Sequence, residues 1–418
     1  MRADTLDILR CPYCGGKLDL VTSLFHQRSD LELIDGLLGC HCCLFPLVDG
    51  IPVMHLQPNA TAAIEHLKAG NPDLARRSMF GLDDERQAAV FERTAASDTA
   101  TYKDTVEAIG PNFEGGYFLY RFSDPTFMVA QAVVRALASS VLGRTRRAID
   151  ICGGSGHLTR TLLDHSRPAP VLADLYYAKI WLARRFTAPG CEPVCCDGNA
   201  PMPFVRGAFG LAMCTDAFMY IWTKRQFVGE MERLVDDRSP AAPPGAVLIG
   251  HTHNERTWSP SHGQPLTPEG YGALFETMEP RVFGEAGLFA GIVDDHVLDL
   301  SRQDSPQTLD ADPALTIVAT RHPGVFERHS LAPVRTANGE FRLNPLYTSE
   351  PDRAKVRLRL AFPDVDYEQE YGASRRYLPD EVSVDREVLD MLPATTLPAA
   401  LAELADRRVI LDLPIRYY

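Results

Sequence analysis

From residue 147 onward, short apolar strands alternate with amphipathic helices, and few folds accept that texture. Residues 147–152 (Arg-Ala-Ile-Asp-Ile-Cys) read as a buried strand, Gly153-Gly154-Ser155-Gly156 as a turn, and 157–164 as a helix. A second strand covers 171–174, a second helix 176–186, and a third strand ends within 191–197. Residues 209–214 form a fourth strand, and 226–235 a helix with Phe227, Met231 and Leu234 on one face. Pro243-Pro244-Gly245 turns the chain into a strand at 246–249, and 316–320 ends the sheet. Parallel strands need a crossover long enough to hold a helix, so this alternation means a mostly parallel sheet. The expected fold class is α/β, a Rossmann-like, doubly wound, mostly parallel sheet.

Three acidic residues fall at three successive strand ends. Asp150 closes the first strand, before Gly154 and Gly156, whose missing side chains let a ligand approach the backbone. Asp174 closes the second strand, 18 residues past Gly156, where a carboxylate can accept both hydroxyls of a ribose. Asp197 and Gly198 end the third, where a further acceptor suits an adenine amino group. The plain alternative for Asp174 and Asp197 is a helix cap.

These segments carry a resemblance. Residues 148–157, 171–174, 196–204 and 209–216, with the Pro-Pro-Gly strand from 243, resemble a class I S-adenosylmethionine-dependent methyltransferase. The resemblance implies that the glycine turn holds the aminoacyl part of the cofactor, Asp174 its ribose and Asp197 its adenine end. Cys152 stands where that family commonly has its first glycine, which narrows the turn and leaves a non-methylating member open.

The first 43 residues carry a different chemistry. Cys11-Pro-Tyr-Cys14 and Cys40-His-Cys-Cys43 are two Cys-x-x-Cys knuckles with 25 residues between the inner pair, a spacing that closes a tetrahedron around Zn²⁺. Cys42 and His41 are spare candidate ligands, and Cys43 fits the two-residue knuckle spacing better than Cys42. A unit this small has a thin apolar core and needs its metal. Residues 7–14 and 45–53 resemble the small zinc-ribbon protein that activates methyltransferases as a separate subunit. That likeness implies a structural zinc and a docking role. The alternative is a module that has lost its metal.

Catalytic candidates are sparser. Methyl transfer is an in-line displacement that holds the acceptor in place and, where it carries a proton, removes it. His251 and His253 follow the fifth strand at the ligand-binding edge, two apart and so on one side of an extended chain. One of them is a candidate base; a metal pair or hydrogen-bonded loop histidines are the alternatives. Asp216 and Tyr220 follow the fourth strand and are placed to touch acceptor or sulfonium. Arg121, inside the aromatic stretch 117–122, is a candidate clamp for the cofactor carboxylate; the alternative is a strip that packs a lid helix.

The chain divides into a zinc ribbon (1–56), a helical linker and lid (57–145), a methyltransferase domain (146–322) and a C-terminal α+β extension (323–418) with no catalytic motif. A charge of −13 with scattered Lys and Arg argues against a nucleic-acid partner. No stretch approaches the roughly 18 apolar residues of a membrane span. With no signal peptide at the start, ten cysteines read as ligands and core residues of a cytoplasmic protein. A small-molecule acceptor, such as one of specialised metabolism, is expected. An RNA or protein acceptor docked by the ribbon, and cofactor binding without turnover, are the rivals.

Overall fold

The computed structural model describes residues 1–110, 118–143, 146–236, 244–259 and 263–418. Its largest sheet has seven strands, numbered here in chain order: β1 (Arg147–Ile151), β2 (Val171–Asp174), β3 (Glu192–Cys195), β4 (Phe209–Thr215), β5 (Ala246–His253), β6 (Pro280–Gly284) and β7 (Ala314–Thr320). Their order across the sheet is β6-β7-β5-β4-β1-β2-β3. β1 pairs in parallel with β2 and β4, β2 with β3, and β4 with β5. Only β7 runs against its neighbours, β5 and β6. The expected α/β class and mostly parallel sheet are therefore present. β6 has no counterpart in the sequence reading: Pro280, Arg281 and Val282 are only half-buried, so the strand lacks a continuous apolar run.

The chain leaves β1 toward β2 and β3 on one side and later builds β4 and β5 on the other. That reversal opens a crevice beyond the carboxyl ends of β1 and β4, the position where such sheets take ligands. The helix Pro125–Val141 packs an apolar face, including Phe127, Val133 and Leu137, into the core. Asp124 caps it, accepting the Phe127 N–H at 2.7 Å. The helix after the glycine turn is shorter than expected, Thr159–Leu162. Residues 157 and 158 belong to the turn instead, because Thr159 donates its hydroxyl to Asp150 at 2.6 Å and fixes where the helix begins.

The N-terminal strands Leu33–Gly39, Leu44–Val48 and Ile51–Pro52 pair antiparallel. This small sheet docks on the outer edge of β3. Val53 bridges Cys195 in parallel, and the Met54 N–H donates to the Cys195 carbonyl at 2.6 Å. Buried residues of both sheets share the same apolar clusters.

The C-terminal part is α+β, as expected. Thr336–Leu343 pairs with Ala394–Thr396 and Ile410–Leu413, and Lys355–Leu360 pairs with Tyr347–Asp352 and Glu381–Asp385. The helix Val365–Tyr371 packs beside the second group. The last residues return to the core, where Tyr417 stacks on Tyr102 with ring centroids 4.8 Å apart. No helix among the described residues is long and apolar enough to cross a membrane.

Candidate active site

A cleft of about 620 Å³ lies at the reversal point, lined by Asp150, Cys152, Gly154, Asp174, Asp197 and Asp216 among others. Its floor is the turn after β1. Cys152, Gly154 and Gly156 all have left-handed φ, +59°, +54° and +74°. Glycine adopts that region without penalty, whereas a cysteine there costs about 1–2 kcal/mol. Cys152 bears this strain with its thiol turned toward Gly198 and the apolar core under the cleft. Gly154 sits under the Phe118 ring, which lies 3.4 Å from where a Cβ would stand. Gly156 does not line the cleft; a Cβ there would meet Ala183 at 2.8 Å. Its role is close packing against the second helix, a correction to the expected cofactor contact.

Asp174 lies over this turn. One carboxylate oxygen accepts the Gly154 N–H at 2.9 Å and the other the Tyr176 N–H at 2.9 Å. Burial raises its pKa, and these bonds together with the nearby Lys179 ammonium hold it back. Each oxygen keeps a lone pair for a ligand hydroxyl. Asp150 lies deeper and spends one oxygen on Thr159; burial pushes its carboxyl up to about 7. Asp197 accepts the Asn199 N–H at 2.8 Å, so its local turn role and its place in the cleft coexist. Gly198 lines the cleft beside it.

On the β4 side, Asp216 and Tyr220 both line the cleft. Arg121 reaches it too, but its guanidinium is held by Asp216 at 2.8 Å and by the buried Asp124 at 3.1 Å. A clamp on the cofactor carboxylate would have to compete with both. The aromatic stretch divides: Phe118 lines the cleft, Phe122 is core, and Tyr120 packs edge-on against Tyr367; Tyr117 lies outside the described residues.

The two histidines do not behave as a base pair. Their rings lie 6.0 Å apart, but a bulge between Ile249 and Thr252 leaves His251 at φ +45° and turns it to Glu285. Nδ1 of His251 stands 2.8 Å from Glu285, whose other oxygen accepts the His251 N–H. Burial alone would lower this imidazole; the Glu285 carboxylate outweighs it and lifts the pKa to about 9. Protonated at neutral pH, His251 is an ion-pair partner, not a base. His253 lines a separate hollow with Asn254, Arg256 and Trp258.

Lys179, His157 and Glu370 also line the cleft, and the sequence reading gave none of them a catalytic or binding role. Lys179 lies over the rings of Phe118 and Tyr176, at 5.0 and 4.6 Å. His157 bonds Tyr417 at 2.7 Å, and burial lowers its pKa to about 3. Glu370 enters from the C-terminal helix Val365–Tyr371. Only Lys179 carried a usable signal: it follows Asp174 by five residues, on the helix after β2.

In the N-terminal module, the thiols of Cys11, Cys14, Cys40 and Cys42 lie within 4.8 Å of one another. Cys42 completes this group in place of the expected Cys43. Cys43 is the last residue before the strand Leu44–Val48, and its half-buried side chain packs on the apolar core, while Cys42 stands exposed at the turn. His41 is outside the group. Cys11–Cys42, Cys40–Cys42 and Cys14–Cys40 are 3.6, 3.6 and 3.8 Å apart. Metal–sulfur bonds of about 2.3 Å give a tetrahedron with edges of about 3.8 Å, so the donor set fits zinc.

No family model matches the chain, and no curated protein matches it. Solved structures do. An S-adenosylmethionine-dependent methyltransferase from Aquifex aeolicus is similar at 12% identity over 50% of this chain and 99% of that one, with a TM-score of 0.34. Phosphoethanolamine N-methyltransferase 2 from Haemonchus contortus, in complex with S-adenosyl-L-methionine, is similar at 16% identity over 50% of this chain and 57% of that one, TM-score 0.37. Geranyl diphosphate C-methyltransferase from Streptomyces coelicolor is similar at 13% identity over 46% and 75%, TM-score 0.33. The α/β class itself follows from the strand order and pairings of this chain.

Proposed function

We propose that the cleft binds S-adenosylmethionine and that the chain transfers its methyl group to a small-molecule acceptor. The observation that carries this reading is Asp174, a buried carboxylate bonded to the Gly154 N–H across a turn with three left-handed positions. That arrangement offers paired acceptors to a ribose and bare backbone to the rest of the cofactor. When bound, the cofactor supplies an electrophilic methyl group on a cationic sulfur. Asp174 and Asp197 would hold its nucleoside end, and the turn 152–156 its aminoacyl part. The acceptor would stand on the β4 side, near Asp216 and Tyr220. A net charge of −13 supports a small acceptor over nucleic acid. A structural zinc on Cys11, Cys14, Cys40 and Cys42 is part of the same proposal.

The test is calorimetric titration with S-adenosylhomocysteine. Hydrogen bonds to a charged group contribute about 1.5–3 kcal/mol, so Asp174→Ala should weaken binding at least tenfold. An unchanged dissociation constant would mean the nucleoside lies elsewhere.

A further inference from the structure

A second cavity, of about 210 Å³, lies between the sheet and the C-terminal extension and shares no lining residue with the cleft. Pockets for drug-sized molecules measure about 300–1,000 Å³, so this one suits a small ion or a single charged group. The helix Pro125–Val141 contributes Arg135, the helix Thr159–Leu162 contributes Arg160, and the extension contributes Arg335 and Arg408. These four guanidiniums line the same space as two carboxylates, Asp406 and Asp412.

Two of the four are matched. Arg335 forms a paired bond with Asp406, both contacts at 2.8 Å. Arg160 holds Asp412 at 2.7 Å, and the same carboxylate accepts the Asn338 and Gly339 N–H groups. The other two have no ion pair among the described residues. Arg408 donates to the Phe122 carbonyl and lies over the Tyr377 ring at 5.7 Å, but its Nε is buried without a hydrogen-bond partner. Arg135, half-buried, makes neither a hydrogen bond nor an ion pair among the described residues. Burial lowers its pKa; Asp412 and Asp164 draw its charge from beyond ion-pair distance, and Arg160 and Arg408 repel it. Buried polar groups in folded proteins are nearly always bonded to protein, water or an ion.

We infer that this cavity is an anion site, in which Arg135 and Arg408 hold a small oxyanion, phosphate or carboxylate, between the sheet and the extension. Guanidinium N–H groups match the paired oxygens of either anion. A water molecule can accept the Arg408 N–H, but it leaves two neighbouring like charges uncompensated; an oxyanion does both. Arg160 belongs to the helix that follows the glycine turn, so a bound anion ties the extension to the element that carries that turn. The site is independent of the S-adenosylmethionine reading.

The experiment uses the full chain in chloride buffer at constant ionic strength and neutral pH. Calorimetry titrates it with sodium phosphate and, separately, with sodium acetate. At least one should bind one-to-one and raise the thermal midpoint as it saturates. Binding of phosphate alone or of acetate alone identifies the anion class. Arg135→Gln should weaken that binding fivefold or more, and Arg135→Lys, which keeps the charge, should weaken it less. Arg135 has no polar contact to lose, so in chloride alone both variants should melt within a few degrees of the parent. The inference is overturned if neither anion binds, or if Arg135→Gln weakens binding less than fivefold. It is overturned too if Arg135→Gln fails to fold in chloride, since Arg135 would then already have its partner within the protein.

Discussion

His251 shows how one contact can reverse a residue's role. Its position near the end of β5 suits a base, but the bulge hands its ring to Glu285, which also accepts the His251 N–H and the Thr316 hydroxyl. The ring is held protonated to about pH 9, against about 6.5 in the unfolded chain. Below pH 6.5 both states carry the proton and the pair contributes in full. Between 6.5 and 9 the folded state binds more protons than the unfolded one, so the contribution shrinks as pH rises and is gone above 9. Urea midpoints of the protein and of His251→Gln should therefore differ most at pH 6 and converge by pH 9.5. A gap that stays constant across that range would show that the ring is neutral in the fold. The strain at Cys152 belongs to the same scale. Its sequence position marks it as a departure from glycine, but only the φ of +59° shows that the turn keeps a left-handed shape there, with the thiol beside Gly198.

At the scale of elements, the knuckle at Cys40 is decided by the strand that follows it. Alternation in Leu44–Val48 places successive side chains on opposite faces, and Cys43, at the strand's threshold, is drawn against the core. Counting the spacing of thiols alone favours Cys43; the strand's inward face is what overrides the count. Elemental analysis should find one zinc per chain, retained in Cys43→Ser and lost in Cys42→Ser. Loss in Cys43→Ser with retention in Cys42→Ser would restore the spacing rule. The consequence reaches the cleft through β3. The segment after the ribbon extends that edge at Val53 and Met54, and His55 lies 3.5 Å from the Cys195 thiol, two residues before Asp197. Metal loss should therefore raise hydrogen exchange at 192–195 as well as within the ribbon.

For the whole molecule, the parts that were legible are those set by local pattern. The strands β1 to β5 and the acidic strand ends each follow from periodicity or glycine within about ten residues of chain. What was not legible depends on residues far apart in the chain coming together, such as Glu370 and Asp216 lining one cleft and Tyr417 bonding His157, which no window of sequence contains. The tail shows what such contacts hold in place. Tyr417 donates its hydroxyl to the Phe118 carbonyl at 2.7 Å and is itself bonded to His157, so one hydroxyl joins the Phe118 segment, the turn and the C-terminal part. His157, neutral down to about pH 3, must then donate its Nε2–H to that hydroxyl, because the only phenolic proton is already used. Tyr417→Phe keeps the ring stacked on Tyr102 and removes just this junction. It removes both bonds of that hydroxyl, and taking this acceptor from the buried His157 N–H costs about 1–3 kcal/mol. Because Phe118 lies over Gly154, the same change should also weaken S-adenosylhomocysteine binding severalfold, while Tyr13→Phe, in the ribbon, should do neither. Denaturant midpoints and calorimetry on the two variants separate the effects. A destabilised Tyr417→Phe protein with full affinity would mean that Phe118 keeps its place over the turn without the tail.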